Sequence, residues 1–194
     1  YGEGWIADKS PFSEDERAVK RNIAKLPGVA CFNDDFRNAI KGNHADKKSK
    51  GFVSGLVLRE EAIKFGITGA VYHPQMNYGY IDSVPFAWAE QPDQCINYAS
   101  CHDNYTLWDK LKQSLSKASD EELRARVKLA GALVLTSQGV PFLHSGVEFC
   151  RTKGGDGNSY KSPDAVNQLD WNRKNEYVDV FEYYQKLIQL RKNH

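Results

Sequence analysis

What is missing from this sequence narrows its reading first. No apolar run approaches the ~20 residues that span a bilayer, and no basic stretch followed by an apolar one stands at its start, so a soluble chain with no membrane partner is expected. No block of like charge is long enough to track phosphates. Lys and Arg number 26 against 25 Asp and Glu, for a formal charge of +1. The richest basic stretch, Lys47-Lys48-Ser49-Lys50, reads as a solvated loop, and nucleic acid is not an expected partner. The four cysteines, Cys31, Cys95, Cys101 and Cys150, contain no C-x-x-C pair, which argues against a zinc site or a redox couple. Cys95 and Cys101 would stand ~20 Å apart on one strand, too far for a disulfide. All four are expected as free thiols, which favours a reducing compartment such as the cytoplasm and leaves an exported form open.

What is present suffices for a core. With 41% hydrophobic and 12% aromatic residues among 194, one globular unit is the default. Ser13-Glu14-Asp15-Glu16 has capping-box spacing, and Val19, Ile23 and Leu26 then share a face before Pro27-Gly28, which predicts a helix over 14–26. Val29-Ala30-Cys31-Phe32-Asn33 is apolar without alternation, as in a strand buried on both faces, and ends in Asp34-Asp35. A lysine-rich loop with Gly42 and Gly51 should follow, then a helix near 53–65.

Cys95–Cys101 reads as a second buried strand delivering His102-Asp103-Asn104 at its end. Leu123, Val127, Ala130 and Val134 recur at helical spacing. Residues 139–146 form a third short apolar segment, followed by Glu148 and Arg151, and a last helix carries Tyr177, Val180, Phe181, Tyr184, Leu187, Ile188 and Arg191. This alternation predicts an α/β fold with a parallel sheet and crossover helices.

The polar residues Glu3, Asp34 and Asp35, His102 and Asp103, and Glu148 each follow a strand. In barrels of this type that rim carries the active site. Two carboxylates over a sugar ring are what glycoside hydrolysis requires, one to protonate the leaving oxygen and one to meet positive charge at the anomeric carbon. Glu3 and Asp103 are the candidates. Gly2 and Gly4 would let a sugar approach Glu3, and the Trp5 indole could stack on it while shielding the carboxyl, which favours an acid role. A turn glutamate beside a core tryptophan explains the same residues.

His102 beside Asp103 could bond sugar hydroxyls or hold a metal, although such pairs are commonly structural. Asp156 and Asn158 in Gly154–Tyr160 alternate as acceptors, yet the loop lacks the closing glutamate of an EF-hand, so no metal is assigned and calcium stays open. Loop aromatics such as Tyr72, Tyr78, Tyr80, Phe86, Trp88, Tyr105, Trp108 and Trp171 suit sugar stacking but equally fill cores. The sequon Asn104-Tyr105-Thr106 continues the rim motif and is read as chance.

Three stretches then point to a family. YGEGW at 1–5, NYASCHDNYTLWDKL from Asn97 and QGVPFLHSGVEFCRTKGGDGNSYKSPDAVNQLDW from Gln138 resemble type I pullulanases of the alpha-amylase superfamily, glycoside hydrolase family 13, in the family's order. FNDDFRNAIKG at 32–42 adds to the likeness. The resemblance implies a TIM (β/α)8 catalytic domain that cleaves α-1,6 linkages in pullulan, glycogen and amylopectin with retention. It places the general acid/base on Glu3, the transition-state-stabilising carboxylate on Asp103, and substrate contacts on Trp5, His102, Asn158 and Tyr160.

One element of the family pattern is absent. The nucleophile aspartate belongs to a motif close to G-F-R-F-D, and the nearest likeness, Asp35-Phe36-Arg37-Asn38, has asparagine where a carboxylate is needed. The asparagine and histidine ligands of the same subsite are missing too. Residues 1–194 are therefore expected to be the C-terminal half of the barrel, strands five to eight with their helices, inactive alone. Its open sheet edges would favour dimerisation or domain exchange. Isoamylase or branching-enzyme specificity, a non-catalytic α-glucan-binding module, and a metal-dependent hydrolase using His102, Asp103 and Asp156 are the alternative readings.

Overall fold

The structure, a computed structural model, describes residues 1–6, 9–82 and 84–194. Three short strands, β1 (Cys31–Phe32), β2 (Cys95–Asn97) and β3 (Val140–Pro141), form a parallel sheet in the order β1-β2-β3. Cys31 lies opposite Cys95, and Ile96 opposite Val140. A parallel bridge from Gly2 to Cys31 adds the opening segment on the far side of β1.

Helices fill the connections: α1 (Asp34–Lys41), α2 (Glu60–Ile67), α3 (Leu107–Ser114), α4 (Asp120–Thr136), α5 (Asp164–Asn167), α6 (Asn172–Glu176) and α7 (Val178–Asn193). The expected α/β alternation with a parallel sheet is present. Among the described residues, no helix is long and apolar enough to cross a membrane. All four cysteines are free and buried.

The sequence explains most of these elements. Ser119 and Glu122 form a reciprocal cap, with Ser119 Oγ accepting from Glu122 N at 3.2 Å and Glu122 Oε2 from Ser119 N at 2.8 Å. Leu123, Val127, Ala130 and Val134 of α4 are then all buried, as their spacing predicts. α7 crosses α4 where Gly131 admits the Tyr184 ring. A Cβ at Gly131 would stand 2.4 Å from Tyr184 Cζ, and the Tyr184 hydroxyl donates to the Val127 carbonyl at 3.1 Å. One core cluster joins α1, α2, α3, α4 and α7, with Phe36, Phe65, Leu111, Val127 and Tyr184 near its middle.

Several expected spans differ. The 14–26 helix divides into two 3-10 turns, Glu14–Glu16 and Lys20–Lys25. Only one arm of the capping box forms, with Glu16 Oε2 accepting from Ser13 N at 3.1 Å and from Ser13 Oγ at 2.7 Å, while Glu16 N donates to the Ser13 carbonyl and Arg17 is extended. Competing bonds hold the break: Lys20 N donates to the Gly4 carbonyl at 3.0 Å, and Asn22 Nδ2 donates to the carbonyls of Glu14 and Arg17. The expected helix near 53–65 is two 3-10 turns leading into α2. The strands are shorter than their apolar runs, although Cys95–Cys101 is buried throughout.

Where a loop was expected, α1 begins at Asp34. Asn33 caps it by accepting from Phe36 N at 3.1 Å, Asp34 and Asp35 fill its acidic first turn, and Gly42 closes it at φ +94°.

Candidate active site

At the ends of the opening segment, β1 and β2 lies an open cavity of about 290 Å³. Glu3, Trp5, Asp34, His102 and Asp103 all line it. They arrive from three connections, Glu3 and Trp5 from the opening segment, Asp34 after β1, and His102 and Asp103 after β2, because parallel strands end on the same side of a sheet.

Glu3 is carried by a strand-like segment: Gly2 N donates to the Ala30 carbonyl at 3.0 Å and Phe32 N to the Gly2 carbonyl at 3.3 Å. Gly4 adopts φ +78°, and a Cβ there would stand 2.7 Å from Cys31 Sγ, so this position requires glycine. The turn presents Trp5, 45% exposed, beneath the Lys20 ammonium, whose Nζ lies 5.9 Å from the ring centroid. Lys20 also pairs with Asp34. Burial pushes Lys20 down to about 8, with Asp35 acting in the opposite direction. Glu3 is exposed, so these residues do not supply the shielding expected of an acid catalyst.

Aromatic rings line the inner end of the cavity. Phe32 meets Tyr98 edge-on at 4.9 Å between centroids and Phe142 at 5.2 Å. Arg37 of α1, nearly fully buried, donates from Nη1 to the Tyr98 hydroxyl at 2.8 Å and from Nη2 to His44 Nδ1 at 3.1 Å. Burial raises the Tyr98 hydroxyl, with Arg37 opposing. Burial and then Arg37 lower His44, so its imidazole is an acceptor toward the guanidinium. Phe32, Tyr98, Arg37 and His44 all line the cavity. They were not identified from sequence, because Phe32 and Tyr98 sit in apolar runs, Arg37 on an unrecognised helix and His44 in the loop after it. The Asn33-Asp34-Asp35 cap was the available signal, since it starts the helix that turns Arg37 toward the rim.

His102 and Asp103 are exposed on a bend in which Asn104 adopts φ +62°. Thr106, third residue of the sequon, is buried and caps α3 by accepting from Asp109 N at 3.1 Å. Asn158 and Tyr160 do not line this cavity. Both are exposed on the neighbouring loop, while Ser159 between them is buried.

Asp156 is occupied within that same loop: it accepts from Asn158 N at 2.8 Å and from Ser162 Oγ at 2.5 Å, and these bonds lower its carboxyl. It stays outside the cavity that holds His102 and Asp103. No group of three His, Cys, Asp or Glu side chains able to hold a metal occurs among the described residues. Glu148 folds back onto its own loop, accepting from Gly146 N at 3.0 Å.

The chain is 41% identical over all of its length to the pullulanase of Bacillus subtilis (strain 168), of which it covers 26%. The chain is homologous to pullulanases over its whole length. It is also 32% identical over 88% of its length to pullulanase 1, chloroplastic, of Arabidopsis thaliana, covering 21% of that relative. Among solved structures, the type I pullulanase of Bacillus subtilis str. 168 complexed with maltose matches at a TM-score of 0.91 and 40% identity, over 100% of this chain and 26% of that one. The Paenibacillus barengoltzii pullulanase, in complex with maltohexaose and alpha-cyclodextrin, matches at 0.89 and 48%, over 100% and 28%. The chain therefore spans about a quarter of the length of these pullulanases. No family model matches the chain.

Proposed function

We propose that these 194 residues are part of a retaining glycoside hydrolase that cleaves α-1,6 branch linkages in pullulan, glycogen or amylopectin. One observation carries the reading: Glu3, Trp5, His102 and Asp103, drawn from segments about a hundred residues apart, line one cavity at the strand ends. Glu3 acts as general acid and base toward the glycosidic oxygen, and Asp103 stabilises the oxocarbenium-like transition state. Trp5 stacks on a sugar face, and His102 bonds a hydroxyl at the scissile unit. Asn158 and Tyr160 border the glucan beyond the cavity. The maltose and maltohexaose complexes of the relatives support an α-glucan ligand.

The chain is further proposed to be the C-terminal half of a (β/α)8 barrel. The four parallel positions, from Gly2 through β1, β2 and β3, support that order. Retaining hydrolysis requires a nucleophile ~5 Å from the acid. These residues contain no G-F-R-F-D-like motif, and Asp35-Phe36-Arg37-Asn38 lies within α1, not at a strand end. No glycosyl-enzyme can form without that partner. The purified 194 residues should release no reducing ends from pullulan, whereas the full-length enzyme should. Turnover by the 194 residues clearly above a Glu3→Gln control contradicts the reading.

A further inference from the structure

One buried ammonium outside the proposed chemistry reaches two separate loops. Lys153 is 7% exposed, and its Nζ donates to the His102 carbonyl at 3.2 Å and to Ser159 Oγ at 2.6 Å. The first acceptor belongs to the bend that carries Asp103. The second lies between Asn158 and Tyr160.

The base of Lys153 is itself fixed. Its backbone N–H donates to Asp109 Oδ2 at 2.7 Å, and the preceding Thr152 hydroxyl donates to Asp109 Oδ1 at 2.5 Å. Ser159 Oγ in turn donates to Asn167 Oδ1 at 2.9 Å, and Asn167 Nδ2 returns bonds to the carbonyls of Ser159 and Ser162.

The two loops also meet through packing. A Cβ at Gly157 would stand 2.8 Å from the Tyr105 ring, so this glycine admits the ring of the other loop. A second buried ammonium, Lys41, holds the far end of the Asp103 bend by donating to the Tyr105 carbonyl at 3.3 Å. A charged amine withdrawn from water is tolerated only where oxygens replace its hydration. For Lys153 two of those oxygens belong to the two loops. Parting the loops leaves the charge unpaired.

We propose that Lys153 is a positioning residue that holds the Asp103 bend and the Asn158–Tyr160 loop in fixed relation, so that one side chain sets both the transition-state carboxylate and the outer glucan contacts. The proposal rests on the function given above. In that reading Lys153 touches no substrate and acts through His102 and Ser159.

The test compares Lys153→Met and Ser159→Ala in the full-length enzyme, by pullulan kinetics and by amide hydrogen exchange. Lys153→Met should lower kcat about tenfold or more, since displacement of a positioned group by 1 Å has such effects. It should also raise exchange in peptides covering 102–105 and 158–160 while leaving α4 unchanged. Ser159→Ala severs one arm only, and should raise KM about threefold with kcat held within about twofold, with faster exchange at 158–160 alone. A merely structural lysine would lower the melting temperature without this division. Unchanged kinetics and exchange in Lys153→Met, or equal effects of both variants on kcat, overturn the proposal. If Lys153→Met does not fold, the Ser159→Ala exchange pattern decides. If the wild-type enzyme leaves pullulan intact, the function reading fails, and the exchange data alone judge the clamp.

Discussion

Asn33 and Asn97 face each other in full burial, and Asn33 Nδ2 donates to Asn97 Oδ1 at 3.2 Å across β1 and β2. The pair extends outward: Asn97 Nδ2 donates to the carbonyls of Gly66 and Gln138, both at 2.8 Å, while Asn33 caps α1. Two amides thus secure the sheet, the start of α1, the last turn of α2 and the turn after α4. Asn97→Ala removes three buried hydrogen bonds: the Gly66 carbonyl keeps its bond from Gly69 N and the Asn33 amide its contact with Cys95 Sγ, while the Gln138 carbonyl loses its side-chain donor, at roughly 1–3 kcal/mol. The variant should lose about 3 kcal/mol in urea unfolding. A loss below about 1 kcal/mol would show that water or a rearranged loop replaces the bonds.

Glycine at position 4 is required both by its left-handed backbone and by the thiol beside it. Gly4→Ala should cost about 2 kcal/mol or more, combining the left-handed penalty with the overlap onto Cys31. Gly2→Ala is the control, because nothing lies within 4 Å of a Cβ there. It should stay within about 0.5 kcal/mol of wild type. Equal losses at the two positions refute the contact argument.

Lys41 gives a pH signature. Burial, with Arg37 adding to it, pushes its ammonium down to about 7 from the ordinary lysine range. The unfolded chain therefore binds the proton more tightly, and stability gains with pH. The contribution is full above the free-lysine pKa of ~10.4 and is lost progressively as pH falls toward 7. Other groups titrate in the same range: burial raises the thiols of Cys95 and Cys150, which works against stability once unfolded thiols ionise. The difference between wild type and Lys41→Met isolates the lysine. Wild type should gain on Lys41→Met between pH 7 and pH 9, and parallel pH curves would contradict the assignment.

The sheet edge should promote self-association of the isolated chain. β3 is a terminal strand of a parallel sheet, and Val140 on it is 44% exposed. An apolar groove of about 480 Å³ runs beside it, between the 143–148 loop and the Phe181, Tyr184 and Ile188 face of α7. Concentration-dependent dimers or larger species are expected in size-exclusion chromatography. A stable monomer across a hundredfold dilution counts against this.

The alternation of strands and helices was legible because buried parallel strands are short apolar runs and α4 and α7 keep clean helical periods. Leu123, Val127, Ala130 and Val134 needed nothing else. The 14–26 stretch misled, since only one arm of its capping box forms and Lys20 and Asn22 bond to Gly4, Glu14 and Arg17 instead of continuing a helix. The rim was legible at Glu3, Trp5, His102 and Asp103 because each follows a strand or its extension. Arg37, His44 and Tyr98 were not, because their orientation depends on how α1 and the 98–101 segment pack. Asn158 and Tyr160 sit outside the cavity for the same kind of reason: the chain reaches them through a loop whose course is fixed by Lys153 and Asn167, which no local pattern encodes.

In the proposed reaction Glu3 donates the proton to the leaving glycosidic oxygen. Turnover of pullulan by the full-length enzyme, Glu3→Gln against wild type, decides this role. Loss of a positioned general acid predicts a fall in kcat of about 10²–10⁴-fold, with maltooligosaccharide binding retained. A Glu3→Gln enzyme that turns over pullulan within a few-fold of wild type would contradict it.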